Sequence, residues 1–333
     1  MVFVYFILAA AVTVFAAMKL SKYADVMSEK TAMGGLMVGT LLLAGATSLP
    51  EVTTSISAVL IGNPDIAIGN VLGSNLFNLF ILACFDLYYR KKQLYQWGSK
   101  DHVYTAGLGL VLTVMVMLAL IVRIDFTILG IGIDSLLIAL VYGVGLFIMN
   151  KLPKPAAVEP VVDQQAANET AATAVSSISV KHAVIGFIVA ALVIMGAGTV
   201  LSIMGDQIAV ITGLGSSFVG SFLVAATTSL PEAVSVLVAL RLRNVNLALG
   251  SILGSNIFNM LILAMSDVAY RDGSILADVS DSHLVTAIGV LILSVVIIGA
   301  LFRKPTKSIM SYAVPSLLIV LGYFITSYLI FIG

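Results

Sequence analysis

Glu51 and Glu232 each follow a proline inside a long apolar run, at the end of the same four-residue string, SLPE at 48–51 and again at 229–232. An ionised carboxylate at such depth in an apolar chain is expensive unless it binds a counter-ion, pairs or faces water. No Lys or Arg lies at comparable depth, so a mobile cation is the expected partner. Thr47 and Ser48 precede Glu51 by four and three residues, and Thr228 and Ser229 stand in the same relation to Glu232. On a helix these spacings bring hydroxyl and carboxylate oxygens to one face. Pro50 and Pro231 lack an N–H and crowd the preceding turn, which loosens the backbone near residues 46–47 and 227–228. The carbonyls of Ala44 and Ala225 thereby become candidate ligands, as at the interrupted helices of transporters.

A second pair of strings adds more oxygen. GNVLGSNLFN at 69–78 returns as GSILGSNIFN at 250–259, and within them Ser74 with Asn78 and Ser255 with Asn259 form i,i+4 pairs. Asn75 and Asn256 lie one position round the helix and are expected to face a kinked neighbour, bonding its loosened backbone. Gly73 and Gly254 allow close helix approach. The combined donor set is all oxygen, which suits hard cations such as sodium and calcium, whereas zinc or copper recruits histidine or sulfur. His102, His182 and His283 fall at expected helix ends, and Cys84 sits in an apolar run as a packing residue. Asp134 falls inside an expected span, either as a pore-side or proton-linked group, in a hydrogen bond between helices, or because the span boundary is misplaced.

The elements that must position these residues are membrane helices. Of 333 residues, 60% are hydrophobic and 10% charged, and the mean hydropathy is +1.10; water-soluble domains carry roughly a quarter charged residues. Apolar stretches of about twenty residues recur along the chain, the length needed to cross the bilayer as helix. They lack the alternation of a membrane β-barrel. Spans are expected at 2–20, 33–61, 66–87, 103–122, 127–149, 180–202, 211–240, 246–267, 283–302 and 308–332. The fold class is therefore an all-α polytopic membrane protein of ten helices, with lipid as its surroundings. No soluble basic domain exists to bind nucleic acid, and no feature points to a protein partner, a cofactor or an enzymatic centre. The first stretch has its positive charges after it, the wrong polarity for a cleaved signal. Fifteen of the seventeen basic residues fall in one set of loops and two, Arg123 and Arg271, in the other. That division places the first set in the cytoplasm and both termini and the 203–210 loop outside.

The two motif pairs share one offset, 181 residues, and Asp86 and Asp267 obey it too. Five expected crossings separate the copies. Five is odd, so the second half enters the membrane in the opposite sense, the plan of alternating-access transporters. The chain divides into a first five-helix repeat at 1–150 with a broken helix at 33–61, a flexible cytoplasmic linker at 151–179, and a second, inverted five-helix repeat at 180–333.

At ATSLPE (46–51), TTSLPE (227–232) and the two GSN-containing strings, the sequence strongly resembles the sodium/calcium exchanger branch of the cation/calcium antiporters, in its prokaryotic form. The resemblance covers nearly the whole chain. It implies sodium and calcium as transported ions bound alternately at one central site, in a prokaryotic plasma or inner membrane. It assigns ion ligation to the side chains of Thr47, Ser48, Glu51, Ser74, Asn78, Thr228, Ser229, Glu232, Ser255 and Asn259, with the carbonyls of Ala44 and Ala225. Asn259 stands where well-characterised prokaryotic exchangers carry an aspartate, which leaves two central carboxylates. Two charges match one divalent ion or two sodium ions.

Overall fold

The computed structural model describes residues 1–30, 45–90, 93–151, 179–241, 243–303 and 308–332. Its helices are α1 (Val2–Lys30), α2 (Leu49–Leu60), α3 (Pro64–Tyr88), α4 (His102–Val122), α5 (Ile133–Lys151), α6 (Val180–Thr212), α7 (Ser216–Thr228), α8 (Leu230–Arg241), α9 (Val245–Ala269), α10 (Ser282–Phe302) and α11 (Ile309–Ile332). Seven of them, α1, α3, α4, α6, α9, α10 and α11, are long and apolar enough to cross a membrane. The pair α7 and α8, bent by 40° at Ser229, makes up to an eighth span. α5 is shorter, and α2, with residues 45–48 before it, is the described part of the expected second span. Residues 33–44 of that span, and 152–178 of the expected linker, lie outside the described residues.

Three expected boundaries move. α1 continues to Lys30 rather than ending at Leu20. The expected outside loop at 203–210 is instead helix, because α6 runs on to Thr212. Asp206, inside that stretch, accepts a hydrogen bond from the Asn63 amide at 2.7 Å, and the apolar run 208–211 sustains the helix until Gly213 ends it at φ +70°. The expected fifth span starts at Ile133 rather than 127. Residues 127–132 form a tight hairpin, Thr127 opposite Gly132 and Ile128 opposite Ile131. Its turn places Leu129 at φ +56° and Gly130 at φ +79°, the positive pair that a two-residue hairpin requires. Asp134 thus belongs to the first turn of α5, where it accepts from the Ser135 N–H (2.8 Å) and the Ser274 hydroxyl (2.9 and 3.0 Å).

α3 and α9 form the centre: 89% of the α3 span window is buried, against 28% for α1 and α6, which pack on each other at the periphery. Matching local chemistry opens both central helices. Asn63 caps α3 by accepting from the Ile66 N–H (3.2 Å), and Asn244 caps α9 by accepting from the Leu247 N–H (2.9 Å). The two helices run in opposite directions. One end of the bundle joins Asp65 at the start of α3 to Ser280 (2.8 Å), Asp125 to Ser274 (3.1 Å), Arg123 to Asp281, and Asp267 at the end of α9 to Gly132 (2.7 Å). The other end joins Asn246 at the start of α9 to Ser99 (2.6 Å), and Asp86 near the end of α3 to Tyr312 and Ser316 (2.6 Å for the latter).

Glycine sets the closest approach. A Cβ at Gly73 of α3 would lie 2.2 Å from the backbone oxygen of Ser221, in the π-helical stretch Val219–Val224 of α7. Backbone therefore meets backbone where α3 crosses α7.

Candidate cation-binding site

The chain breaks at Ser48 and Ser229, immediately before α2 and α8, and each new helix carries its proline at the second position and its glutamate at the third. Proline is tolerated there because the first-turn N–H groups have no intrahelical acceptor. The break turns each SLPE string into a helix start aimed at the bundle centre. Glu51 and Glu232 are both buried, at 1% and 0% exposure, and among the described residues neither forms an ion pair with a Lys or Arg side chain.

Hydroxyl groups cross between the halves to reach them. Ser48 donates to Oε1 of Glu232 at 3.2 Å, and Ser229 donates to Oε1 of Glu51 at 3.1 Å. Ser74 and Ser255 donate to the same Oε1 atoms, of Glu51 and Glu232 respectively, at a longer 3.5 Å. Thr228 and Thr47 complete the two sets, interacting with Glu51 and Glu232. All four serine hydroxyls go to Oε1; among the described residues Oε2 of Glu51 and Oε2 of Glu232 are buried and accept no hydrogen bond.

Asn78 and Asn259 repeat that imbalance. Each uses its amide nitrogen, Asn78 donating to Oδ1 of Asn256 (2.9 Å) and Asn259 to Oδ1 of Asn75 (2.8 Å). Each keeps its own Oδ1 buried without a donor. Among the described residues the centre therefore holds four buried oxygens without a donor, two from each half, of which two belong to carboxyl groups. A buried acceptor left unpaired costs about 1–3 kcal/mol, and more when charged. A cation is the group that satisfies four acceptors at once without bringing a further acceptor of its own. Among the described residues no cluster of three His, Cys, Asp or Glu side chains occurs; the atoms gathered here are all oxygen, the donor type that suits hard cations.

The expected residues fare unevenly. Thr47, Ser48, Glu51, Ser74, Asn78, Thr228, Ser229, Glu232, Ser255 and Asn259 are all buried together in this region. Ala44 lies outside the described residues. The Ala225 carbonyl accepts the Ser229 N–H (3.0 Å) and the Thr228 hydroxyl (3.3 Å), so it is engaged within the helix in this conformation. Asn75 and Asn256 do not bond the kinked helices as expected. Each donates instead to the other's backbone carbonyl, at 3.1 and 3.3 Å, tying α3 to α9. The residue that does reach the loosened segment is Asn70, which the sequence reading passed over. Its amide donates to the Ser55 hydroxyl (2.9 Å) and the Glu51 carbonyl (3.4 Å), and its Oδ1 accepts from Thr228 (3.0 Å). The available signal was the i,i+4,i+8 stripe Asn70, Ser74, Asn78 along one face of α3.

The family profile described as "Sodium/calcium exchanger protein" matches residues 1–150 and 182–332. Among curated proteins no sequence match is found. The fold is shared with three kinds of solved structure. An H+/Ca2+ exchanger, CAX, is 12% identical with a TM-score of 0.68, covering 99% of this chain and 89% of its own. YfkE is 18% identical with a TM-score of 0.65, over 97% and 92%. The sodium-calcium exchanger NCX_Mj is 21% identical with a TM-score of 0.56, over 98% of each chain.

Proposed function

The chain belongs to the sodium/calcium exchanger family, and on that premise we propose that it is a secondary active antiporter, moving calcium against sodium across a membrane by alternating access. The observation that carries this reading is the set of four donorless oxygens on Glu51, Glu232, Asn78 and Asn259, contributed equally by the two halves. Calcium bridges the two carboxylates, assisted by the amide oxygens and by the hydroxyls of Thr47, Ser48, Ser74, Thr228, Ser229 and Ser255. Sodium ions take overlapping positions. Two formal negative charges balance one calcium or two sodium ions, and the same oxygens cannot serve both loads, which couples their movements. The carbonyl of Ala225 joins the cage when its helix break opens further than it does here, and the carbonyl of Ala44, 181 residues earlier in the chain, takes the same role in the first half.

The opposite directions of α3 and α9 support alternating access, since each end of the bundle presents an equivalent approach to the same site. The peripheral pair α1 and α6, apolar and without a charge at mid-length, slides across this core as access switches. The fifteen-to-two division of basic residues favours termini outside and the 152–178 connection in the cytoplasm of a prokaryotic cell.

A proton-coupled exchange is the second reading, favoured by one observation: both central charges are carboxylates, and two protons neutralise them as completely as two sodium ions do. Flux in proteoliposomes with imposed gradients separates the two. Calcium movement driven by an inward or outward sodium gradient at equal pH supports the first reading; movement that ignores sodium and follows pH supports the second and overturns the first.

A further inference from the structure

We propose that Asn75 and Asn256, which touch no ion in the reading above, are positioning residues that fix which atom of Asn259 and Asn78 faces the cation; the inference rests on the site proposed here. An asparagine amide is nearly symmetric in shape, with an acceptor on one arm and a donor on the other. A ligand asparagine that turns by half a rotation presents N–H groups to the ion and repels it. Something must choose between the two orientations.

The choice is made by backbone. Asn75 donates its Nδ2 to the carbonyl of Asn256 at 3.1 Å, and Asn256 donates its Nδ2 to the carbonyl of Asn75 at 3.3 Å. A carbonyl oxygen only accepts, and within a helix it cannot turn round. Each bridging amide is therefore compelled to keep its nitrogen on the opposite helix and its Oδ1 on the other side. Those Oδ1 atoms are the ones that receive Asn259 (2.8 Å) and Asn78 (2.9 Å) through their Nδ2 groups. With the nitrogen committed, the ligand oxygen is the arm left over, and in both copies it is the buried, donorless atom. The sense of the whole chain, backbone carbonyl to bridging amide to ligand amide, runs one way and cannot be reversed at a single link.

A small cavity on the far side, lined by Asn75, Thr105, Asn256 and Ser294 among others, makes the idea testable without wrecking the core. In Asn75→Ala water enters from that cavity and meets both the Asn256 carbonyl and the Asn259 amide. Water donates or accepts with equal ease, so hydrogen bonding is restored while direction is lost.

The experiment measures calcium binding by titration calorimetry on the purified full chain and calcium uptake in proteoliposomes. Asn75→Ala is expected to raise the calcium Kd and KM roughly tenfold, as loss of an outer partner of a metal ligand does, with maximal rate changed less than about twofold. On an Asn259→Ala background the same change is expected to add less than about twofold, because no amide remains to orient. Asn256→Ala on parent and on Asn78→Ala repeats the test from the other half and decides the matter if one variant does not fold. Unaltered calcium affinity in Asn75→Ala, or an effect that multiplies in full on Asn259→Ala, overturns the inference. Glu51→Gln and Glu232→Gln serve as controls on the site itself. If both bind calcium like the parent, the site reading fails; if both lose it while Asn75→Ala does not, the positioning role alone fails.

Discussion

The centre and the rims of this molecule obey the 181-residue offset to different degrees. At the centre the bonds from serine and asparagine to the opposite half come in matched pairs, Ser48 to Glu232 and Ser229 to Glu51, Asn78 to Asn256 and Asn259 to Asn75; the Asn70 bond to Ser55 is an exception, because the offset positions are Ser251 and Val236. At the rims the frame persists but the charge does not. Asp65 of α3 accepts from the Ser280 N–H (2.8 Å) and from Nε2 of buried His283 (2.9 Å). Its counterpart on α9 is Asn246, which accepts from the Ser99 N–H (2.6 Å) and interacts with His102. Ser99 and Ser280, and His102 and His283, are offset by the same 181 residues. One rim has an acid where the other has an amide of the same size. A site that must serve both faces keeps both halves alike, whereas the rims each see only one side of the membrane and are free to differ.

That contrast can be broken at its strongest point first. Glu51→Gln and Glu232→Gln are each expected to lower calcium uptake by more than about a hundredfold, the scale of about 3–5 kcal/mol attached to removing one member of a buried charged assembly. The two losses are expected to agree within a few-fold. A tenfold disparity between them in the same vesicle assay argues against equal sharing of the ion.

Smaller effects follow from the crossing hydroxyls. Ser48→Ala and Ser229→Ala each remove a donor to the carboxylate of the other half, and a hydrogen bond to a charged group contributes about 1.5–3 kcal/mol. Calcium affinity measured by calorimetry is expected to change by roughly tenfold or more in each, and by matching amounts. A response in only one of them shows that the reciprocal pattern belongs to one access state alone.

The smallest effect belongs to the rim. Asp65→Asn makes the two ends chemically alike and removes the carboxylate that faces Nε2 of His283. About a threefold fall in calcium activation is expected at that face, on the scale of a partly exposed ion pair, with the opposite face unchanged. Vesicles of defined orientation, assayed from each side, read the difference. An equal change from both sides places Asp65 in communication with the central site and cancels the distinction between centre and rim.

The residues buried together at the centre were legible because their signals are chemical and local: a proline fixes the helix start, a glutamate without a basic neighbour draws notice, and i,i+4 spacing fixes the face. Sequence reasoning placed the helices at their approximate positions for the same reason, through the length of each apolar run. It ended α6 ten residues early, at 202, and the pairing of Asp206 with Asn63, distant in sequence, is one contact that the extended helix makes. The hairpin at 127–132 was read as part of an apolar run because Ile128, Leu129 and Ile131 carry no polarity, and the turn depends on backbone angles. The partners of Asn75 and Asn256 were missed because helix-to-helix register is a property of the packed bundle. No spacing within one helix announces which carbonyl of another it will meet.

The crossing hydrogen bonds also have a bearing on how the protein is made. Ser229 is synthesised 178 residues after Glu51, the sequence separation of that hydrogen bond. At a synthesis rate of about 5–20 residues per second, Glu51 waits roughly 10–35 s for its hydroxyl partner from the second half. Through that interval the first half holds in the membrane a carboxylate that its own helices only partly satisfy. Insertion of the two halves is thus one event stretched over time, and anything that shelters the unfinished first half during the wait governs how much of the protein is ever completed.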